Sequence, residues 1–463
     1  MPTYDWLAAF IFHVTVFYMK PFLFSILLCC SLMSNAQVLP LREQARVTDE
    51  ITADRINNLL PQLMQRTGID MWVIISREYN EDPILKTMLP ATWLSARRTT
   101  MLVFYLNPAT KQLEKMAIAR YNVGENIKAN WDMQRFPDQW DALMNIITTR
   151  NPKKIGLNTS KDFGHADGID HTHYDQFMQK LPAAFKSKVV SAEPLGVAWL
   201  ETRTEREMQY YTQLVNMTHK IIEEGFSEKV ITPGVTTTDD VVWWFRQKIR
   251  DLGLDTWFHT SVAVQRSDSN SFEHLRAFSD RPKEDLIRPG DLLHVDIGIT
   301  YLRLNTDIQQ HAYVLKPGEK NAPADLQKAF AQSNRLQDIL TSQFVLGRTG
   351  NQILKGALDQ AKAEGIVASI YTHPLGLHGH AAGPTIGMWD MQNGVPGSGD
   401  YPLYYNTAYS IELNSSTEIP GWKKSIRIML EEDGYFDQSG FRYINGRQKQ
   451  LYLIPRVVGN NAD

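Results

Sequence analysis

Cysteine is nearly absent: among 463 residues only Cys29 and Cys30 occur, side by side near the N-terminus. Beyond them the chain can build no disulfide framework, thiol nucleophile or thiolate-bound zinc. One-sided charge is missing too. The 48 Lys and Arg nearly balance the 51 Asp and Glu, for a net charge of -3, and no basic footprint for nucleic acid is left. Low-complexity tracts and fixed-period repeats are also absent. What remains has the composition of a globular protein, 43% hydrophobic and 21% charged, and its 463 residues suggest two domains.

Long apolar runs are confined to the N-terminus. Met19-Lys20-Pro21 followed by F-L-F-S-I-L-L-C-C-S-L-M reads as a charged region and apolar core of a signal peptide, with cleavage after Ser34-Asn35-Ala36. Residues 1–36 are therefore expected to be removed, with Met19 as the true start and Gln37 as the first mature residue. A single uncleaved anchor is the competing reading, since Trp6 to Met19 is also apolar. His13, Lys20 and Pro21 interrupt it, and neither apolar piece alone reaches the roughly 18 residues that a span needs. The expectation is an exported protein, periplasmic or secreted, with no stable membrane span after cleavage and no cysteine.

Residues 37–195 alternate helical and strand patterns: a helix over Val47–Gln65 with Thr48 as its cap, strands at 71–76, 99–106 and 153–160, and a helix near Tyr174–Leu181. This predicts an α/β domain. Pro194 and Gly196 mark a boundary, and a second domain of α+β type is expected over 196–463. Its helices are read at Glu205–Glu224, from a cap at Thr238 or Asp239, at 325–342 and at 350–364.

This second domain carries five side chains of metal-ligand type: Asp296 in H-V-D-I-G, Asp307 in N-T-D-I-Q, His380 in H-G-H-A-A-G, Glu412 in S-I-E-L-N and Glu431 in M-L-E-E-D. Asp296 and Asp307 lie eleven residues apart on facing strands, where two acids on one face repel. Glu412 interrupts an apolar strand. Glu431 shares a strand face with Arg427 and Met429, opposite Ile428 and Leu430, and Glu432 is expected to turn toward solvent. Like charges packed together raise each other's pKa. Two divalent cations would cancel the charge and could activate water against a carbonyl. His378 competes with His380 for the imidazole place.

The order Asp, Asp, His, Glu, Glu, with eleven residues between the aspartates, resembles that of the pita-bread metallopeptidases: methionine aminopeptidases, Xaa-Pro aminopeptidases, prolidases and creatinase. The resemblance covers about residues 196–455. It implies a curved, mainly antiparallel sheet behind a creatinase-like N-terminal α/β domain. It also implies five ligands at Asp296, Asp307, His380, Glu412 and Glu431. The family's metal histidine has a glycine three residues later, as in His380-Ala-Ala-Gly383. Glu412 would then also move the proton, and His274 in E-H-L-R would contact substrate, together with His378 and Trp389.

Three departures stand out. The family has a second histidine seven to nine residues after the metal one, where Trp389 occurs here. Gln309-Gln310 stands where an arginine is common, and Met429 stands two residues before the last Glu. The implied function is an aminopeptidase or dipeptidase acting on short peptides, with Xaa-Pro bonds as candidate substrates and manganese preferred over zinc or cobalt. A homodimer is implied by family habit. Competing readings are a silent peptide-binding protein and a hydrolase of a small amide or amidino compound.

Overall fold

The expected helix at 47–65 starts earlier and is interrupted. In the computed structural model, which describes residues 38–268 and 285–456, it runs Leu41–Asp54, widens into a π turn at Arg55–Leu59, and resumes over Leu60–Thr67. Pro40 opens it, so Thr48 lies in its interior, buried, and caps nothing. The signal segment, Gln37, both cysteines and His274 lie outside the described residues.

The N-terminal region is built on a mixed six-stranded sheet. β1 (Met71–Arg77) pairs antiparallel with β2 (Thr99–Leu106), followed outward by β3 (Leu113–Ala117) and β4 (Lys128–Ala129). On its other edge β1 runs parallel to β5 (Ile155–Leu157), which pairs with β6 (Val189–Ser191). The central strands are buried on both faces, as near-continuous apolar runs require. Trp72, Ile74, Leu102 and Phe104 join the core that includes Leu60, Leu63 and the helix Glu193–Glu201. Val73, Ile75, Met101 and Val103 pack the opposite face with Leu143, Ile147 and Phe177.

The helix Glu193–Glu201 runs across residues 195 and 196, where the boundary was expected, and from Pro40 onward the chain forms one compact unit. Thr204 then caps the helix Glu205–Gly225 in a reciprocal box with Glu207. The next helix, Thr238–Asp251, is capped by Thr237, one residue before the expected position. A buried ion pair ties the regions together. Arg55 donates to Glu207 at 2.8 Å and to the Thr202 carbonyl at 2.8 Å, and lies 4.4 Å over the Trp199 ring.

The C-terminal region begins with β7 (Asp255–Thr256), β8 (Ser261–Gln265), β9 (Leu292–Ile297), β10 (Ile299–Tyr301), β11 (Leu304–Asn305) and β12 (Ile308–Val314). β8, β9 and β12 are antiparallel, with Gln309 opposite Asp296. Then follow β13 (Val367–Ile370), β14 (His373–Leu375), β15 (Thr407–Ser410), β16 (Leu413–Ile419), β17 (Lys424–Leu430), β18 (Asp433–Asp437) and β19 (Gly440–Tyr443). β20 (Tyr452–Ile454) joins β12 in parallel.

Three long strands are each broken in the same zone. β13 passes to β14, β15 to β16 and β17 to β18, so that β13-β16-β17 and β14-β15-β18-β19 become separate sheets. Tyr409, Ile411, Leu413, Ile428 and Leu430 face a core formed with the helices Ala324–Thr341 and Gly350–Ala363. The alternate residues are left for the site. The mainly antiparallel, α+β character of this region matches the pita-bread expectation.

Candidate metal centre

Three of the four acids sit at strand breaks, and Asp296 lies within β9. Asp307 lies between β11 and β12, Glu412 between β15 and β16, and Glu431 between β17 and β18. A break frees the backbone from the ladder and lets a side chain on the core-averted face turn inward. Local hydrogen bonds take over. The Glu412 N–H donates to Thr372 Oγ1 at 3.0 Å, and Glu431 exchanges backbone bonds with Gln309 at 3.2 and 3.0 Å. The Asp307 N–H donates to Asp433 Oδ1 at 3.1 Å.

Asp296, Asp307 and Glu431 bring donor atoms within 4.8 Å of one another, and so do His373, Glu412 and Glu431. The structure thus gathers all four expected carboxylates. Burial, then the charge of Glu431, pushes the Asp307 and Glu412 carboxyls far above the ordinary range. Four acids held this way are unfavourable as a bare group.

The imidazole touching them is His373, a residue the sequence reading passed over. Its Nε2 lies 3.5 Å from Asp307 Oδ2, 3.7 Å from Glu431 Oε1 and 3.9 Å from Glu412 Oε2. His373 Nδ1 lies 2.9 Å from the Pro374 carbonyl. A carbonyl only accepts, so Nδ1 carries the hydrogen. In the neutral ring Nε2 is then a bare donor atom aimed at the acids, the form a metal-binding imidazole takes. Nε2 is also buried without a hydrogen-bond partner. One ring nitrogen, three carboxylates at separate strand breaks and Asp296 within β9 fit two hard-to-borderline divalent cations.

Gln309 bridges two of the acids. Its Nε2 donates to Glu412 Oε1 at 2.6 Å and Glu431 Oε2 at 2.7 Å, while its Oε1 faces His294 Nε2 at 2.9 Å. Ser410 Oγ donates to Glu431 Oε1.

His380 sits one imidazole further out. Its ring centroid is 4.7 Å from that of His373, and it offers a nitrogen within 4.8 Å of the Asp307 and His373 donor atoms. Burial, then the neighbouring His373, lowers its pKa to about 4. Trp257 meets the His380 ring edge-on at 5.1 Å. It is wedged between two glycines: a Cβ on Gly298 or Gly379 would lie 2.2 or 2.3 Å from the indole.

Other expected positions fall elsewhere. His378 stacks on His165 with ring centroids 4.3 Å apart. Trp389 is 53% exposed in a turn after Gly387. Glu432 corrects an expectation: it does point away from Glu431, but into the protein. It is 1% exposed, facing His219 Nε2 at 2.7 Å and accepting from Gln310 Nε2 at 2.7 Å and the Gln448 N–H at 2.8 Å. The helix Glu205–Gly225, which supplies His219, covers what strand alternation alone would leave open.

The sequence profile of metallopeptidase family M24 matches residues 209–432, a segment that contains the whole donor cluster. Residues 209–432 belong to metallopeptidase family M24. As an M24 metallopeptidase the chain is an enzyme, a metal-dependent hydrolase. Solved structures share the fold well beyond the matched segment. An X-Pro aminopeptidase from Thermotoga maritima MSB8 superposes with a TM-score of 0.59 at 16% identity, covering 85% of this chain and 99% of that one. An Xaa-Pro dipeptidase from Bacillus anthracis gives 0.59 at 16%, covering 87% and 99%. A prolidase from Pyrococcus horikoshii OT3 gives 0.55 at 16%, covering 86% and 99%. No curated protein matches the sequence. Among the described residues, no helix of the M24 chain is long and apolar enough to cross a membrane.

Proposed function

We propose that this M24 metallopeptidase is an aminopeptidase or dipeptidase that releases the N-terminal residue of short peptides, with Xaa-Pro bonds among its substrates. The contact of His373 Nε2 with Asp307, Glu412 and Glu431 carries the reading. Asp296, Asp307, His373, Glu412 and Glu431 would hold two divalent cations, with manganese preferred over zinc or cobalt for an oxygen-rich set. When bound, the cations would supply Lewis acidity and make a water nucleophilic at neutral pH.

Placing His373 in the metal position also resolves a departure. His373-Pro-Leu-Gly376 meets the family's histidine-to-glycine spacing, and His380 follows seven residues later, at the spacing of the second histidine. The His380 side chain is exposed, yet desolvation of its ring and then His373 lower its pKa to about 4, so it is neutral at physiological pH. It can therefore donate an N–H to the scissile carbonyl oxygen as charge develops there. Glu412 would take the proton of the attacking water and pass it to the leaving amine. The silent-binder reading rested on a missing second histidine, and His380 removes that support. The Xaa-Pro direction is supported by the names of the solved neighbours. His274, export through residues 1–36 and a homodimer stay with the proposal on the sequence grounds given above.

The test is metal content measured alongside hydrolysis of a panel of Xaa-Pro and Xaa-Ala peptides. The loaded protein is expected to cleave the panel. Glu412→Gln should lose about 10²- to 10⁴-fold in kcat, and His373→Ala should lose bound metal. No cleavage by the loaded protein sinks the peptidase reading. Full metal in His373→Ala sinks the ligand assignment.

A further inference from the structure

A cavity of about 540 Å³ lies beside the segments that enter the metal centre, and neither the metal ligands nor the proton-transfer roles above use it. Lys86 and His165 line it from one side; Thr300, Arg303, Asn305 and His378 line it from the other. The second wall continues the two segments that enter the metal centre. Asn305 precedes Asp307 by two residues, and His378 precedes His380 by two. Along the first of these segments, at about 3.3 Å per extended residue, Asn305 stands about 7 Å from the Asp307 donor. It is tied in place. The Asn305 N–H and Nδ2 both donate to the Gly376 carbonyl at 2.9 Å, and Thr300 Oγ1 donates to Asn305 Oδ1 at 2.6 Å.

The cavity wall carries two cations, Lys86 and Arg303, against one acid, Glu81. Arg303 spends its guanidinium on the carbonyls of Thr87 and Leu89, at 3.1 and 2.8 Å, and on the Thr52 hydroxyl at 3.4 Å. These are neutral acceptors, and the Asp49 carboxylate acts on the charge only across a gap, without an ion pair. Lys86 is exposed and makes no ion pair among the described residues. The one acid in the wall, Glu81, already accepts the N–H groups of Tyr79 and Ala96 at 3.0 Å each. Deeper in, His378 has a buried Nδ1 without a partner. Burial and then His165 hold its ring neutral, with a pKa of about 3.

We propose that this cavity is the subsite for the free C-terminal carboxylate of a short peptide, held by Lys86 and Arg303, with the His165–His378 pair as its floor. The proposal rests on the peptidase reading for the position of the scissile bond. A peptide advances about 3.5 Å per residue. The carboxylate two residues beyond the scissile carbonyl therefore reaches about 7 Å, which makes a tripeptide the best fit. A carboxylate recruits the two cations, whereas a terminal amide leaves them without an anionic partner and loses the charge-assisted bonds.

The experiment uses the metal-loaded full chain and a tripeptide whose first peptide bond is reduced, as free acid and as C-terminal amide. Calorimetry reads both affinities. The acid should bind at least about tenfold tighter than the amide. Lys86→Gln and, separately, His165→Ala should each cut that ratio below about threefold. Lys86 lies on the surface, so its variant keeps the test open should His165→Ala fold poorly. Equal affinity for acid and amide, or a ratio that neither substitution moves, overturns the subsite. An intact ratio with no cleavage of the ordinary tripeptide keeps the subsite and overturns the peptidase reading instead.

Discussion

The two halves of this molecule bury their sheets in opposite ways. In the N-terminal sheet, β1 and β2 set Val73 against Val103 and Ile74 against Leu102, and apolar cores cover both faces. In the C-terminal sheets, one face packs on helices while the strand breaks collect Asp307, Glu412 and Glu431. The first arrangement gains stability from every strand residue. The second gives some up, because buried like charges oppose folding until cations neutralise them. Fold and function are thus separated in space, one sheet holding and the other reacting.

The sharpest way to break the contrast is to put an acid where none belongs. Val103→Asp leaves a buried carboxylate with no cation to claim it, at a cost of about 4 kcal/mol or more. Denaturant titration should find little folded protein. Arg55→Met attacks the junction instead. It removes a buried guanidinium that holds Glu207, Thr202 and Trp199, and about 3 kcal/mol should be lost from the unfolding free energy.

Asp307→Asn should change sign with the solution. In chelator it relieves repulsion and stabilises by about 1–2 kcal/mol; with saturating Mn²⁺ the unaltered protein becomes the more stable. Melting curves under both conditions decide this, and destabilisation in chelator would refute the charge argument. The smallest effect is on pH. Burial would raise the Glu207 carboxyl, but Arg203 and Arg55 outweigh it and hold its pKa below the ordinary 4.5. Its contribution is present above that value and is lost as the pH falls through the lower folded value. Asp307 and Glu412 are raised, so their contribution is present below the ordinary 3.8 and 4.5 and is lost as the pH rises through the folded values. The chelated protein should therefore weaken toward neutral pH, and Mn²⁺ should flatten that slope in unfolding measurements from pH 4 to 8.

Much of this was legible in the chain. The alternation of Ile428 and Leu430 against Met429 and Glu431 predicted the face that each occupies, because strand period translates directly into sides of a sheet. The four carboxylates stood out as acids inside apolar strands. The histidine did not. Both His373 and His380 are followed by glycine three residues on, and a local pattern cannot choose between two matches. The seven-residue gap between them was the missed signal, since it reads them as a pair. Glu432 misled for another reason: its partners His219 and Gln448 come from far along the chain, and strand period says nothing of what covers a face.

The sequence by itself determined the fold class and the four acids, because periodicity and the cost of burying charge are properties of short segments. Only the tertiary structure decided which imidazole meets those acids. It also placed His165 from the first region against His378 of the second, since such contacts depend on where strands break and how separate segments pack.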